Sequence, residues 1–147
     1  MRAKDIMSTD IVTVSPESTV EEAAKLMADR EISGIPVINS QNDLVGIITE
    51  GDLLGKHKRI SPPGYIEFLG GIVFTESQDE FFEQLRKYVA TQVKDLMSDQ
   101  VVTVGPEAGI EEIATTMDQK NVKRLPVVGE GKLLGIVSRA DLLKALL

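Results

Sequence analysis

The sequence predicts an α/β protein: two pseudo-symmetric β-α-β-β-α repeats packed on each other, with a partly helical insert between them. Three observations carry this. The chain has 147 residues, about one domain's length, yet it repeats itself. Residues 4–41 align with 94–131, identical at 15 of 38 positions, and residues 43–54 align with 132–143, identical at 6 of 12. A unit of about 50 residues buries its own core poorly, so the two should pack together about an approximate two-fold axis. The second observation is the order of apolar patterns, which is the same in both repeats. The third is that the apolar runs alternate little, which implies strands covered on both faces. The boundaries read as 1–55 for the first repeat, 56–92 for the insert and 93–147 for the second repeat.

Each repeat opens on a short β-branched run, Ile11 to Val14 and Val101 to Val104, stopped by Pro16 and Pro106. A helix follows. Val20, Ala23, Ala24 and Met27 recur at helical spacing, as do Ile110, Ile113, Ala114 and Met117. Ser18 and Glu21 read as a capping box, a signal the second repeat lacks at Ala108. Two strands come next, Ile35 to Ile38 then Leu44 to Ile48, and Leu125 to Val128 then Leu133 to Val137. The proline inside each first strand suits a strand start or an edge. Thr49 and Ser138 then open a second helix.

The insert belongs to neither repeat. Ser61 to Tyr65 reads as a turn, Phe68 to Phe74 as a bent strand or loop, and Glu76 to Thr91 as a helix. All six aromatic residues of the chain lie here: Tyr65, Phe68, Phe74, Phe81, Phe82 and Tyr88. Such a face should pack on the repeats, a ligand or a second subunit.

Composition narrows the function. No cysteine is present, so disulfides, Cys–zinc sites and thiol nucleophiles are excluded, and the single His57 excludes a multi-histidine metal site. The net charge of −7 disfavours nucleic-acid binding. Met1 to Ile6 lacks the apolar core of a signal peptide, and no apolar run nears the ~20 residues of a membrane span. A cytoplasmic, non-catalytic protein is expected, with no nucleophile–base arrangement and no phosphate-loop fingerprint in view.

The sharpest local motif is Thr49-Glu50-Gly51-Asp52, matched by Ser138-Arg139-Ala140-Asp141. Hydroxyl-x-x-acid before an apolar run is a capping box, and taken alone the spacing favours capping. The same geometry also suits a ligand. A helix N-terminus with a hydroxyl attracts anions, and a carboxylate one turn in can accept both hydroxyls of a ribose. Lys123 and Arg124 precede Leu125-Pro126, where the first repeat has Ser33 and Gly34, so the cationic pair is asymmetric. Any two pockets here need not prefer the same ligand.

Two copies of M-S-x-x-h-V-T-V-x-P-E, then h-P-V-h, then G-I-[IV]-[TS]-x-x-D-L-L, resemble the cystathionine-β-synthase (CBS) domain family over about 3–56 and 93–147. A tandem pair of such domains is a Bateman module. The resemblance implies two clefts that bind AMP, ADP, ATP or S-adenosylmethionine as regulatory ligands. It implies that one cleft uses Ile47, Thr49 and Asp52, with the segment Asp99 to Val101 and Lys123 opposite. The other would use Ile136, Ser138 and Asp141, with the segment Thr9 to Ile11 and Ser33 opposite. Ser33 departs from a basic phosphate contact, so that second cleft would favour a less phosphorylated ligand, unless Arg124 or Arg139 compensates. It also implies a homodimer through the apolar helices opened by Thr49 and Ser138, and an effector protein that reads the signal. The alternative is a dimerisation or scaffold module with vestigial clefts.

Overall fold

The computed structural model describes residues 1–54, 65–68, 71–74 and 91–147. The first repeat contains helix α1 (Ala3–Ile6), helix α2 (Val20–Arg30), strand β1 (Gly34–Ile38), strand β2 (Leu44–Thr49) and helix α3 (Glu50–Leu53). The insert contributes strands β3 (Tyr65–Phe68) and β4 (Gly71–Phe74). The second repeat contains helix α4 (Val93–Leu96), helix α5 (Ile110–Lys120), strand β5 (Arg124–Gly129), strand β6 (Lys132–Ser138) and helix α6 (Arg139–Leu146).

Strands β1 and β2 pair antiparallel, as do β5 and β6, each with a register shift after the central valine, Val37 or Val127. The β-branched runs expected to open each repeat do not form strands. Only Val14 and Val104 join, each by one parallel bridge, to Val37 and Val127. Val14 accepts from the Ile38 amide and donates to the Pro36 carbonyl, so proline's missing N–H is not called upon. On the other side Ile47, opposite Pro36, exchanges both backbone bonds with Ser98 at 2.9 Å.

Helix α2 begins one residue later than the capping box read at Ser18 implies. Thr19 is the cap and accepts from the Glu22 amide at 3.1 Å, while Ser18 bonds back to Ser15. The helix face read from spacing is otherwise the buried one: Val20, Ala23 and Met27 face the core, as do Ile113 and Met117 in α5. Glu31 and Asn121 end the two helices in the left-handed region, at φ 53° each.

Two short elements were not legible from apolar spacing, α1 and α4, and both cross between the repeats. Ala3, from the first repeat, is fully buried in the second repeat's core with Val104, Ile113 and Leu125. Val93 and Leu96, from the second repeat, are buried in the first repeat's core with Val20, Met27 and Ile48. Backbone bonds fix the exchange: Ala3 to the Ala108 carbonyl at 2.8 Å, and Val93 to the Ser18 carbonyl at 2.7 Å. The repeats therefore pack by trading arms, and each small core is completed by its neighbour.

Two glycines admit the arms. A Cβ on Gly46 would lie 2.7 Å from Met97 Sδ and 2.8 Å from the Ser98 oxygen. One on Gly135 would lie 2.5 Å from Met7 Sδ and 2.9 Å from the Ser8 oxygen. In the insert, Tyr65 pairs with Phe74 and Phe68 with Gly71, an antiparallel pair that begins at Tyr65 where a turn was expected. The helix read over 76–91 and its aromatic face lie outside the described residues, apart from Thr91, which forms a bend.

Candidate functional site

The order strand, hydroxyl, helix places Thr49 and Ser138 at equivalent corners. Gly34 pairs with Thr49 in the β1–β2 ladder and Arg124 with Ser138 in the β5–β6 ladder. Both corners are complete capping boxes. Thr49 accepts from the Asp52 amide at 3.3 Å, while Asp52 Oδ2 accepts from the Thr49 amide at 2.9 Å and from its hydroxyl at 3.0 Å. Ser138 and Asp141 repeat this at 3.2, 2.8 and 3.0 Å. The helix entry is thus satisfied from within.

Two clefts adjoin these corners. One, of about 240 Å³, is lined by Ser8, Asp10, Ile11, Val12, Ile32, Gly34, Pro36, Arg124, Ile136, Ser138 and Asp141. The other, of about 410 Å³, is lined by Ser33, Gly34, Pro36, Ile47, Thr49, Glu50, Asn121, Val122, Lys123, Arg124, Pro126 and Ile136. Each mixes residues of both repeats, with an apolar floor and a few polar groups, as small-molecule sites do. Gly34, Pro36, Arg124 and Ile136 belong to both, so the clefts share a wall.

The expected residues sort unevenly. Ile47, Thr49 and Lys123 meet on one cleft, and Ile11, Ile136, Ser138 and Asp141 on the other. Asp99, Val101 and Thr9 line neither. Asp52 is buried behind Thr49 and is not part of its cleft's wall, whereas Asp141 is half-buried and forms part of its own. Ser33, expected opposite Ser138, lines the Thr49 cleft instead. Its carbonyl accepts from the Glu50 amide at 2.9 Å and ties it to that helix entry. Arg139, expected as a compensating cation, lies in a different groove with Ile110, Met117 and Leu146. Two residues before Asp141 on the helix, it projects about 200° away from it.

Several lining residues escaped sequence reading, notably Gly34, Pro36, Glu50 and Asn121. Their signal was positional only: Gly34 and Pro36 sit in β1, opposite Thr49 and Ile47, which a register would have revealed. Among the described residues no group of three or more potential metal ligands occurs, and no helix is long and apolar enough to cross a membrane.

Two facing α/β repeats with paired clefts at the hydroxyl corners define a tandem module of repeated ligand-pocket architecture. The CBS domain family model matches residues 3–58 and 93–147, so the chain belongs to the CBS family and carries two copies of the domain. It is 36% identical to protein MJ1426 of Methanocaldococcus jannaschii over 155 aligned residues, covering all of this chain and 92% of that one. It is 30% identical to the CBS domain-containing protein YhcV of Bacillus subtilis, covering 95% of this chain and 81% of that protein. Inosine-5'-monophosphate dehydrogenase of Korarchaeum cryptofilum is 35% identical over 95% of this chain, but the match spans only 23% of that enzyme. Among solved structures, CBSX2 of Arabidopsis thaliana aligns at 26% identity and a TM-score of 0.75, over 99% of this chain and 93% of that one. CBSX2 in complex with AMP aligns at 26% identity and a TM-score of 0.73, over 99% and 95%.

Proposed function

We propose that this protein is a non-catalytic regulatory module whose two clefts bind adenosine-type ligands and transmit occupancy as a change of shape. The observation that carries this reading is the placement of the hydroxyl corners in inter-repeat clefts, on a fold shared with a CBS pair solved with AMP. A ligand held by residues of both repeats favours one relative packing of them, so its binding energy shifts the population between packings. The output passes to an effector protein.

The module acts as a homodimer in this reading. Leu54, Leu143 and Leu146 are 86%, 65% and 72% exposed, the first in the turn after α3 and the other two on helix α6. Leu53 and Leu142, by contrast, are already packed inside. Light scattering at micromolar concentration should give twice the 16.0 kDa chain mass; the monomer mass would contradict it.

A second reading, a scaffold with vestigial clefts, draws on the closed capping boxes, which need no ligand to complete them. Thermal melting against adenosine, AMP, ADP, ATP and S-adenosylmethionine separates the two. A ligand at 100 times its Kd stabilises by about 2.7 kcal/mol, roughly 5–10 °C for a chain of this size. No shift with any of the five would leave the scaffold.

A further inference from the structure

The shared wall has an electrostatic consequence. Arg124 lines both clefts, and among the described residues its guanidinium has no hydrogen bond or ion pair. The Thr49 cleft adds Lys123 and Glu50. The Ser138 cleft adds two carboxylates, Asp10 and Asp141, and no second cation. The first repeat's equivalent of Arg124 is Gly34, in the same ladder position opposite its hydroxyl. Glycine is not imposed there by space: a Cβ would find its nearest neighbours at 3.6 Å, an ordinary contact.

Resting on the adenosine reading above, we propose that Arg124 is the specificity-determining residue of the pair, serving one anion at a time. A phosphorylated ligand in the Thr49 cleft, held by Lys123, draws the guanidinium across the shared wall. The Ser138 cleft is then left with Asp10 and Asp141, which repel a second phosphate but accept hydroxyl or cationic donors. The clefts therefore take unlike ligands: an adenosine phosphate beside Thr49, and an adenosine-type molecule without phosphate beside Ser138. Two phosphorylated ligands compete for Arg124.

Calorimetry with AMP and adenosine tests this. The wild-type chain should take up one AMP, and saturating AMP should leave a second site open to adenosine. Arg124→Gln should weaken AMP by about tenfold or more, the loss of a charge-assisted bond, and change adenosine affinity little. Gly34→Arg, which puts a second guanidinium on the shared wall, should raise AMP uptake to two per chain. Two equal AMP sites in the wild type, or AMP binding indifferent to Arg124→Gln, would overturn the proposal while leaving the adenosine reading intact. No heat with either compound would remove both.

Discussion

The hydroxyl of Ser138 is engaged twice by Asp141: it donates to Oδ2 at 3.0 Å and accepts from the amide at 3.2 Å. Thr49 and Asp52 are related in the same way. A ligand that uses these hydroxyls as donors must therefore turn them away from their own carboxylates. The cap and the site compete for the same proton, and the structure describes the cap.

The caps have a measurable worth apart from any ligand. Ser138→Ala removes an acceptor for the Asp141 amide and should lower stability by about 0.5–2 kcal/mol in urea titration. A change within error would mean that the helix entry is held by packing alone.

The arms should be indispensable. Leu96 lies in the second repeat's sequence but is buried in the first repeat's core. Leu96→Ala should cost about 2–5 kcal/mol, with one cooperative transition seen by both circular dichroism and fluorescence of an introduced tryptophan. A fragment of residues 1–55 should be unfolded on its own. A folded fragment would contradict the exchange.

The glycine seats are steric. Gly135→Ala pushes a methyl group into Met7 and the Ser8 carbonyl, and Gly46→Ala does the same against Met97 and Ser98. The methionines have room to yield, the carbonyls less. Each substitution should cost about 1–3 kcal/mol in equilibrium unfolding, and the double substitution should loosen the arms enough to speed amide exchange at Ala3 and Val93.

Acid should loosen the inter-repeat ion pairs. Lys132 donates to Asp43 at 2.7 Å and Lys4 to Glu107 at 2.8 Å. The Lys132 hydrogen bond holds the Asp43 carboxyl below its ordinary 3.8, and the Lys4 hydrogen bond holds Glu107 below its ordinary 4.5. A carboxyl depressed in the folded state stabilises it above the unfolded pKa, and the gain disappears as pH falls through the folded value. Stability should therefore decline below about pH 4.5, with a small part of the loss abolished by Lys132→Met or by high salt, since both pairs are solvent-exposed. An acid profile identical in wild type and Lys132→Met would contradict the link.

The repeat and its helices and paired strands were legible because identity at 21 aligned positions and the periods of apolar residues are local properties. The hydroxyl corners were legible for the same reason: a cap is written in four consecutive residues. The arms were not. Val93 and Leu96 look like any short apolar pair, and their burial depends on a partner about 70 residues earlier in the chain. Nor was the failure of Ile11 to Val14 as a strand legible. On the edge of β1 that β2 leaves free, the run makes a single parallel bridge, Val14 to Val37. The same limit scattered the candidate site. Ser33 and Arg139 were assigned by motif position, but their directions follow from the ladder register and the helix turn.

The most direct test of the central claim, that the hydroxyl corners hold an adenosine-type ligand, is calorimetric titration of AMP and adenosine into the wild type, Asp52→Asn, Asp141→Asn and the double variant. If Asp52 and Asp141 serve only as cap partners, the amide keeps most of the local bonding, stability falls by at most about 1 kcal/mol and ligand binding is untouched. If they accept ribose hydroxyls, the amide loses the charge and turns a donor toward a donor, and affinity should fall about tenfold or more while the fold survives. The account predicts that second result for Asp141, which lines its cleft; Asp52, buried behind Thr49, reaches a ligand only after it releases the Thr49 hydroxyl, and the double variant is impaired for both ligands. Unchanged stoichiometry and affinity in the double variant would contradict it and leave the two motifs as helix caps.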